Sequence, residues 1–336
     1  MYPLYKYLFF VAVFLGIAFG AYTYWPKSLT PQSSEEANTN TVNADQTNNE
    51  TTPETTPSAN NISKVQNTIA PTTPSPKYPT SPQVTQKPAT SSASPELLSA
   101  IEKTLHEAAE LRTKGFHDAA YEEIHKLLDK TTLYTPEWYR LADQINDINI
   151  YMYKNAAPSK RKVSFTVGSG DSMWIFANKR TTVRAIQISN RIPLDKEVVH
   201  KGQRLSFFGG TWKLLCSKSN FTLRVMLDDR LFKYYKVGIG KDNRTPVGAF
   251  KIIGKKKEPS WNGFPFGHPE NVLGTRWMRL TRISDNSNEG YGIHGTAAPE
   301  SIGTASSLGC LRMRNEEVEE LYDFLPDNKV EVIIED

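Results

Sequence analysis

His294–Cys310 reads HGTAAPESIGTASSLGC and runs on into LRMRN at Leu311–Asn315. A thiol is mostly protonated at neutral pH and far less nucleophilic than its thiolate, so a reactive cysteine needs an imidazole to take its proton or to hold an ion pair with it. His294 is the nearest candidate for Cys310. Gly309, directly before the cysteine, permits the tight backbone path that would aim the amides of Gly309 and Cys310 at a developing oxyanion, each such donor being worth about 3 kcal/mol. Arg312 adds an anion partner. A lone Cys is usually a small buried hydrophobe, so the argument rests on the constellation, which is a set of parts for acyl transfer. Zinc is disfavoured, because neither Cys nor His occurs in closely spaced pairs.

The run Tyr291–Asn315, with its HGT, its S-x-G-C at Ser307–Cys310 and its following R-M, resembles the signature of the L,D-transpeptidase (YkuD) catalytic domain. Thr245–Gly248 in KDNRTPVGAF and Leu273–Trp277 are similar to that domain's earlier motifs, in the same order, so the resemblance covers about 219–334. It implies a cysteine acyltransferase acting on peptidoglycan. In that family the cysteine attacks the third residue of a donor stem tetrapeptide, expels D-alanine, and passes the acyl group to an amine of a second stem to give a 3→3 cross-link. By position, Cys310 would be the nucleophile, His294 the base, and the Gly295 carbonyl the group that orients the imidazole. Arg312 would organise the site electrostatically or meet a substrate carboxylate, with Ser307, Leu308, Gly309 and Tyr291 forming the oxyanion and substrate surroundings. Leu308 stands where many members have a second histidine, for which His268 is the candidate substitute. Val272 replaces a frequent proline, a structural difference. The resemblance implies no metal and no organic cofactor. His294 precedes Cys310, opposite to the order in papain-like and NlpC/P60-like hydrolases.

Within this region Phe221, Leu223, Val225 and Leu227 alternate with polar residues, and Asp228-Asp229 predicts a turn into a second strand. Asn315 is expected to cap a short helix with Glu316 and Glu317 in its first turn and Val318, Leu321 and Leu325 on its buried side. Pro326 would end it, and Val330, Val332 and Ile334 predict a last strand. The Lys255–Lys257 run reads as a solvated loop that could also meet an acidic wall polymer. The domain is therefore expected to be mostly β, of mixed sheet and sandwich character.

The chain has 336 residues, 38% of them hydrophobic and 23% charged, enough for two or three folded units. A net charge of +4 without a basic, aromatic-interleaved stripe gives no case for nucleic acid. From Leu8 to Trp25 the sequence is uncharged and mainly apolar between Lys6 and Lys27, and as a helix it would extend about 27 Å, close to a bilayer core. Residues 1–27 therefore read as a signal anchor to the membrane, with aromatics at its interface end. Cleavage after Ala18-Phe19-Gly20 is the competing reading. In either case the catalytic part is exported, facing the periplasm or cell wall. Cys216 and Cys310 are the only cysteines, too few for a disulfide scaffold. Cys216 reads as a small buried residue, and a reversible bridge to Cys310 is the minor alternative. Residues 28–94, rich in Thr, Pro, Ser and Asn, cannot bury enough apolar surface to fold and predict a disordered tether.

Residues 95–155 predict an α-helical hairpin unit. Ser94-Pro95 opens a helix carrying Leu98, Ile101, Leu105 and Ala108, which Gly115 ends. Ala120, Ile124, Leu127 and Leu128 mark a second helix, and Thr135-Pro136 starts a third with Trp138, Leu141, Ile145 and Ile148 on one face. The unit is weakly similar to a tetratricopeptide hairpin. A spacer packed on its neighbours is the favoured reading, and a protein partner is the alternative. Val163–Phe207 resembles a LysM domain, a small βααβ module, through Gly170, Asp171, Trp174, Ile175, Ala177, Ile186, Asn190, Gly202, Gln203 and Leu205. That resemblance implies binding of peptidoglycan glycan strands at the loops 168–173 and 188–193, with Gly170, Asp171, Ser172 and Asn190 as candidates and Trp174 in the core. The whole is expected to be multidomain, a membrane-anchored, wall-binding L,D-transpeptidase. An L,D-carboxypeptidase that resolves the thioester with water, attachment of a protein to the wall, and a non-catalytic wall-binding scaffold remain as alternatives.

Overall fold

The computed structural model describes residues 93–178, 180–287, 290–327 and 330–336. The expected anchor, and the tether up to residue 92, lie outside the described residues. Among those described, no helix is long and apolar enough to cross a membrane.

Helix α1, Pro95–Thr113, begins where Ser94 Oγ accepts the Leu97 N–H at 3.3 Å and Pro95 occupies a position that needs no amide hydrogen. Helix α2, His117–Leu128, follows without a side-chain cap. The opening of α1 is repeated in α3, Pro136–Lys154, where Thr135 Oγ1 accepts the Trp138 N–H at 3.2 Å. Ile101, Ala108, Ala120, Ile124, Trp138, Leu141, Ile145 and Ile148 are buried together, whereas Leu98 lies at the open edge of its stripe.

Next come β1 (Val163–Thr166), α4 (Met173–Ala177), α5 (Val183–Ser189) and β2 (Arg204–Phe207), with β1 and β2 antiparallel. This βααβ unit has its own small core around Met173, Phe176, Ile186, Leu205 and Phe207. Trp174 is not in that core but 59% exposed. In so short a helix Met173, Phe176 and Ala177 share the inward face, and the 100° step per residue turns Trp174 away from it.

Strands β3 (Trp212–Ser217), β4 (Thr222–Leu227) and β5 (Arg230–Lys236) form one sheet with β7 (Gly248–Lys257), β8 (Arg276–Arg282), β9 (Gly292–His294), β11 (Leu311–Arg312) and β12 (Glu331–Glu335). Its eight strands run in the order β11-β9-β8-β7-β12-β3-β4-β5. Strands β6 (Ile239–Gly240) and β10 (Ala305–Ser307) make a separate parallel pair. Asp228 and Asp229, at φ 50° and 61°, form the two-residue turn between β4 and β5, whose left-handed backbone matches the strand twist. Helix α6, Asn315–Phe324, buries Val318, Leu321 and Phe324. The sheet thus begins at Trp212, ahead of the expected start near Ser219.

Two expectations are corrected here. The three lysines are not a loop but the end of β7, paired as Lys255↔Met278, Lys256↔Trp277 and Lys257↔Arg276. Lys255 turns inward, its Nζ donating to Tyr322 O at 2.7 Å and Leu325 O at 2.6 Å, carbonyls at the end of α6 that lack helical partners. The helical unit is also no independent body, because its buried residues and those of the sheet form one continuous core. Helix α3 lies along edge strand β5: Asn146 Oδ1 accepts the Tyr234 N–H at 3.0 Å and Asn149 Nδ2 donates to Phe232 O at 2.7 Å. These contacts satisfy main-chain groups that an open edge would offer to another strand.

Candidate active site

The parallel pairing of β9 with β11 builds the site. Its register sets Arg312 beside His294 and Leu311 beside Ile293, so Cys310 arrives next to Gly292. Cys310 Sγ is 3.9 Å from Gly290 O, and the Gly292 N–H faces the sulfur. Cys310, His294, Arg312, Trp277, Tyr291 and Ser307 line one cavity of about 790 Å³.

His294 is 3% exposed, and its Nδ1 lies 2.5 Å from Gly295 O. A carbonyl can only accept, so Nδ1 carries the hydrogen and Nε2 keeps the free lone pair that a base requires. Gly295 O also accepts the Gly274 N–H at 3.0 Å, which fixes the carbonyl that fixes the ring. Asn315 does not cap α6, where Arg314 holds the cap position; its Oδ1 accepts the Thr275 N–H at 3.1 Å and packs against Gly274 and Gly295 so closely that neither could carry a Cβ. The Trp277 ring lies 5.7 Å from the imidazole. Burial lowers the His294 pKa to about 4, Arg312 pushes the same way, and the Gly295 bond opposes. Burial pushes the Cys310 thiol up, against the Gly292 N–H and Arg312. At neutral pH the pair is therefore a neutral thiol and a neutral imidazole, suited to general-base activation during attack and not to a standing ion pair.

The loop carrying the cysteine is held from inside. Ser307 Oγ donates to Cys310 O at 2.8 Å and accepts the Gly309 N–H at 3.0 Å. The Gly309 amide is thus already committed and, contrary to expectation, is not free to meet an oxyanion in this arrangement. Gly309 has φ 137°, and a Cβ there would stand 2.5 Å from the Tyr291 ring, so both backbone and packing demand glycine. Thr245, 1% exposed, accepts the Gly240 N–H through Oγ1 at 2.7 Å and donates to Gly309 O at 2.9 Å. Leu308 is 64% exposed and reaches the cavity rim. His268 does not line the cavity; it stacks on Phe264 with 4.5 Å between ring centres and accepts the Glu270 N–H at 3.1 Å, so it does not stand in for the missing second histidine. Arg312 Nε is buried with no hydrogen-bond partner among the described residues.

Residues 212–334 match the YkuD family, the L,D-transpeptidase catalytic domain. Two Bacillus subtilis (strain 168) proteins named "Putative L,D-transpeptidase", YqjB and YkuD, are similar to this chain. They are 36% identical over 116 residues and 40% identical over 107 residues, which is 34% and 32% of this chain. The chain spans 65% and 56% of their lengths. A solved structure, an L,D-transpeptidase from Mycobacterium smegmatis, is 20% identical and aligns over 40% of this chain and 64% of its own with a TM-score of 0.32. The catalytic region is thus an acyltransferase domain at the level of its family.

Sequence reasoning brought Cys310, His294, Gly295, Arg312, Ser307, Leu308, Gly309 and Tyr291 to one place, and it missed the supports. Thr245 was visible only as part of a motif. Asn271, which donates through Nδ2 to Pro259 O at 2.9 Å and Pro265 O at 3.1 Å and ties down the loop lining the cavity, gave no signal beyond being a buried amide in a loop. In the βααβ unit, Asp171 Oδ2 accepts the Gly168 N–H at 2.7 Å within the Gly170 turn, and Ser172 makes no side-chain cap bond. Asn190 is occupied internally, donating to Ile186 O at 2.7 Å and accepting the Ser206 N–H at 2.9 Å, which makes it a tie between α5 and β2. Among the described residues no group of three His, Cys, Asp or Glu could hold a metal ion, and Cys216 is a free, fully buried thiol whose pKa burial raises to about 12.

Proposed function

We propose that this protein is a peptidoglycan L,D-transpeptidase that forms 3→3 cross-links through a thioester on Cys310. The observation that carries this reading is the orientation of His294 by Gly295 O, which leaves Nε2 as a base in the cavity that holds Cys310. As Sγ attacks the carbonyl of the third stem residue, the thiol proton passes to Nε2, and the Cys310 amide takes the oxyanion contact that the Gly309 amide cannot. Collapse of the tetrahedral intermediate breaks the bond to D-alanine, whose leaving amine takes the proton from the imidazolium, and the thioester remains. An acceptor amine then attacks the thioester, gives its proton to Nε2, and the sulfur departs and is reprotonated. Neutrality of both partners at rest suits this proton cycle, because each step needs the imidazole as an acceptor first.

In the same reading the LysM-like βααβ unit at Val163–Phe207 holds glycan strands, residues 1–27 anchor the chain in the membrane, and the catalytic domain faces the periplasm and wall. Intact-mass spectrometry of the full chain with a disaccharide tetrapeptide, with and without an acceptor stem, tests the chemistry. A transient adduct on Cys310 followed by a cross-linked dimer supports the transpeptidase, and a tripeptide alone would make the protein a carboxypeptidase. Absence of both adduct and product from folded, reduced protein would leave a wall-binding scaffold. Cys310→Ala should abolish the adduct and His294→Ala should slow its formation at least a hundredfold, in line with the loss of a positioned general base.

A further inference from the structure

Lys256 on β7, Trp277 on β8, His294 on β9 and Arg312 on β11 are register partners in turn, so their side chains stand in one row on one face of the sheet. Arg279 shares that face two residues beyond Trp277 and pairs with Gly292, beside which Cys310 lies. Lys256, Arg279 and Arg312 all line the catalytic cavity, and none of its described lining residues is Asp or Glu. Elsewhere the cations of this sheet are paired: Lys233 with Glu320, Arg230 with Glu122, Lys213 with Glu331. Lys256 and Arg279 are exposed and make no ion pair among the described residues. General basicity does not explain the cluster, since 40 basic residues face 36 acidic ones over the chain. Like charges gathered on one wall without counter-charges repel, and an anionic ligand relieves that repulsion.

We infer that Lys256 and Arg279 form a carboxylate subsite that selects donor stems bearing a free carboxylate beside the acylated residue over the same stems amidated there. The inference rests on the transpeptidase reading for the identity of the donor, but not for the charge of the ligand. Arg279 is separated from Cys310 by β9, whose residue at that level, Gly292, has no side chain. Two strand spacings amount to about 10 Å, a gap that a long guanidinium side chain and one peptide residue together close.

The test compares acylation of Cys310 by a stem tetrapeptide with a free α-carboxylate at its second residue and by its amidated twin, in the wild type and in K256Q/R279Q. We expect the wild type to prefer the acid in kcat/KM by about tenfold or more, as charge-assisted hydrogen bonds imply. The double variant should treat both donors alike, with the amidated rate unchanged. A preference that survives the substitutions, or an equal loss with both donors, overturns the inference. A second arm needs no peptide: the ratio of Cys310 alkylation rates with iodoacetate and iodoacetamide should fall several-fold in K256Q/R279Q, and an unchanged ratio overturns the subsite. If neither donor acylates the wild type, the transpeptidase reading fails on its own while the alkylation ratio still decides whether the wall binds anions.

Discussion

Thr245→Val isolates what holds the nucleophile. Valine copies the shape of threonine, so the substitution leaves no cavity and removes only the hydroxyl that joins Gly240 N–H at 2.7 Å to Gly309 O at 2.9 Å. Thr245 is 1% exposed, so water cannot replace either bond without rearrangement. Two buried main-chain groups left unsatisfied cost about 1–3 kcal/mol each, or about 2–6 kcal/mol together. At roughly 2–4 °C per kcal/mol for a folded region of this size, the melting temperature should fall by about 5–20 °C. Gly309 precedes Cys310, so release of its carbonyl should also displace the thiol, and a displacement near 1 Å costs on the order of a hundredfold in rate. Thermal denaturation and the rate of Cys310 acylation read the two effects separately, and Thr245→Ser, which keeps the hydroxyl, should recover most of both. The reasoning is refuted if Thr245→Val melts and acylates like the wild type, or if Thr245→Ser is as damaged as Thr245→Val.

Gly309→Ala forces a side chain into a backbone at φ 137° and against the Tyr291 ring; a destabilisation of about 1–3 kcal/mol, seen in chemical denaturation, is expected from the strained backbone. For pH, His294 is held below its ordinary value of 6.5, at about 4. The unfolded chain therefore binds a proton that the folded one resists, and stability should be intact above pH 6.5 and fall by about 3 kcal/mol as the pH drops from 6.5 to 4; His294→Gln should flatten that part of the curve. The acid limb of Cys310 acylation should likewise lie near pH 4, and a limb near 6.5 would mean that another group is the base. Asn149→Ala removes the bond to Phe232 O on edge strand β5; a cost of about 1–2 kcal/mol and faster deuterium exchange of β5 are expected.

The chemistry of the site was legible because it is written in local order: His294-Gly295 and Ser307–Cys310 are short runs whose residue types state their roles. The alternation of Leu223, Val225 and Leu227 likewise gave β4, and Val332 and Ile334 gave β12. Long-range partners were not legible. Nothing in a linear pattern tells that Thr245 meets Gly309, that Asn315 reaches back to Thr275, or that Asn146 and Asn149 dock on β5, because each depends on how separated strands are laid together. Polar residues are also ambiguous by nature. Asn315 looked like a cap because asparagine favours caps, and tertiary bonding outweighed that preference. Trp174 looked like core because tryptophan is bulky, but α4 has room for only one buried face.

The lysine run shows how small a backbone feature can decide a site. Strand β7 has an irregularity between Ile252 and Gly254: Ile252 faces Leu280, yet Gly254 already faces Arg279. One extra residue in a strand exchanges its two faces for everything that follows. Before the bulge the inward positions are Phe250 and Ile252; after it the inward position is Lys255, opposite buried Met278. Without the bulge Lys256 would point at α6, and Lys255 would stand on the catalytic wall. The sequence GKKK is the same in both cases, so the side chain that meets substrate and the one that ties down α6 are distinguished by register alone. Deleting Ile253 should therefore exchange the two roles: Lys256 becomes the residue buried against α6, and the substrate wall loses its lysine at the Trp277 level. Site-resolved lysine acetylation reads this directly, Lys256 being the faster of the pair in the native chain and the slower after the deletion. An unchanged order would mean that the bulge does not set the face.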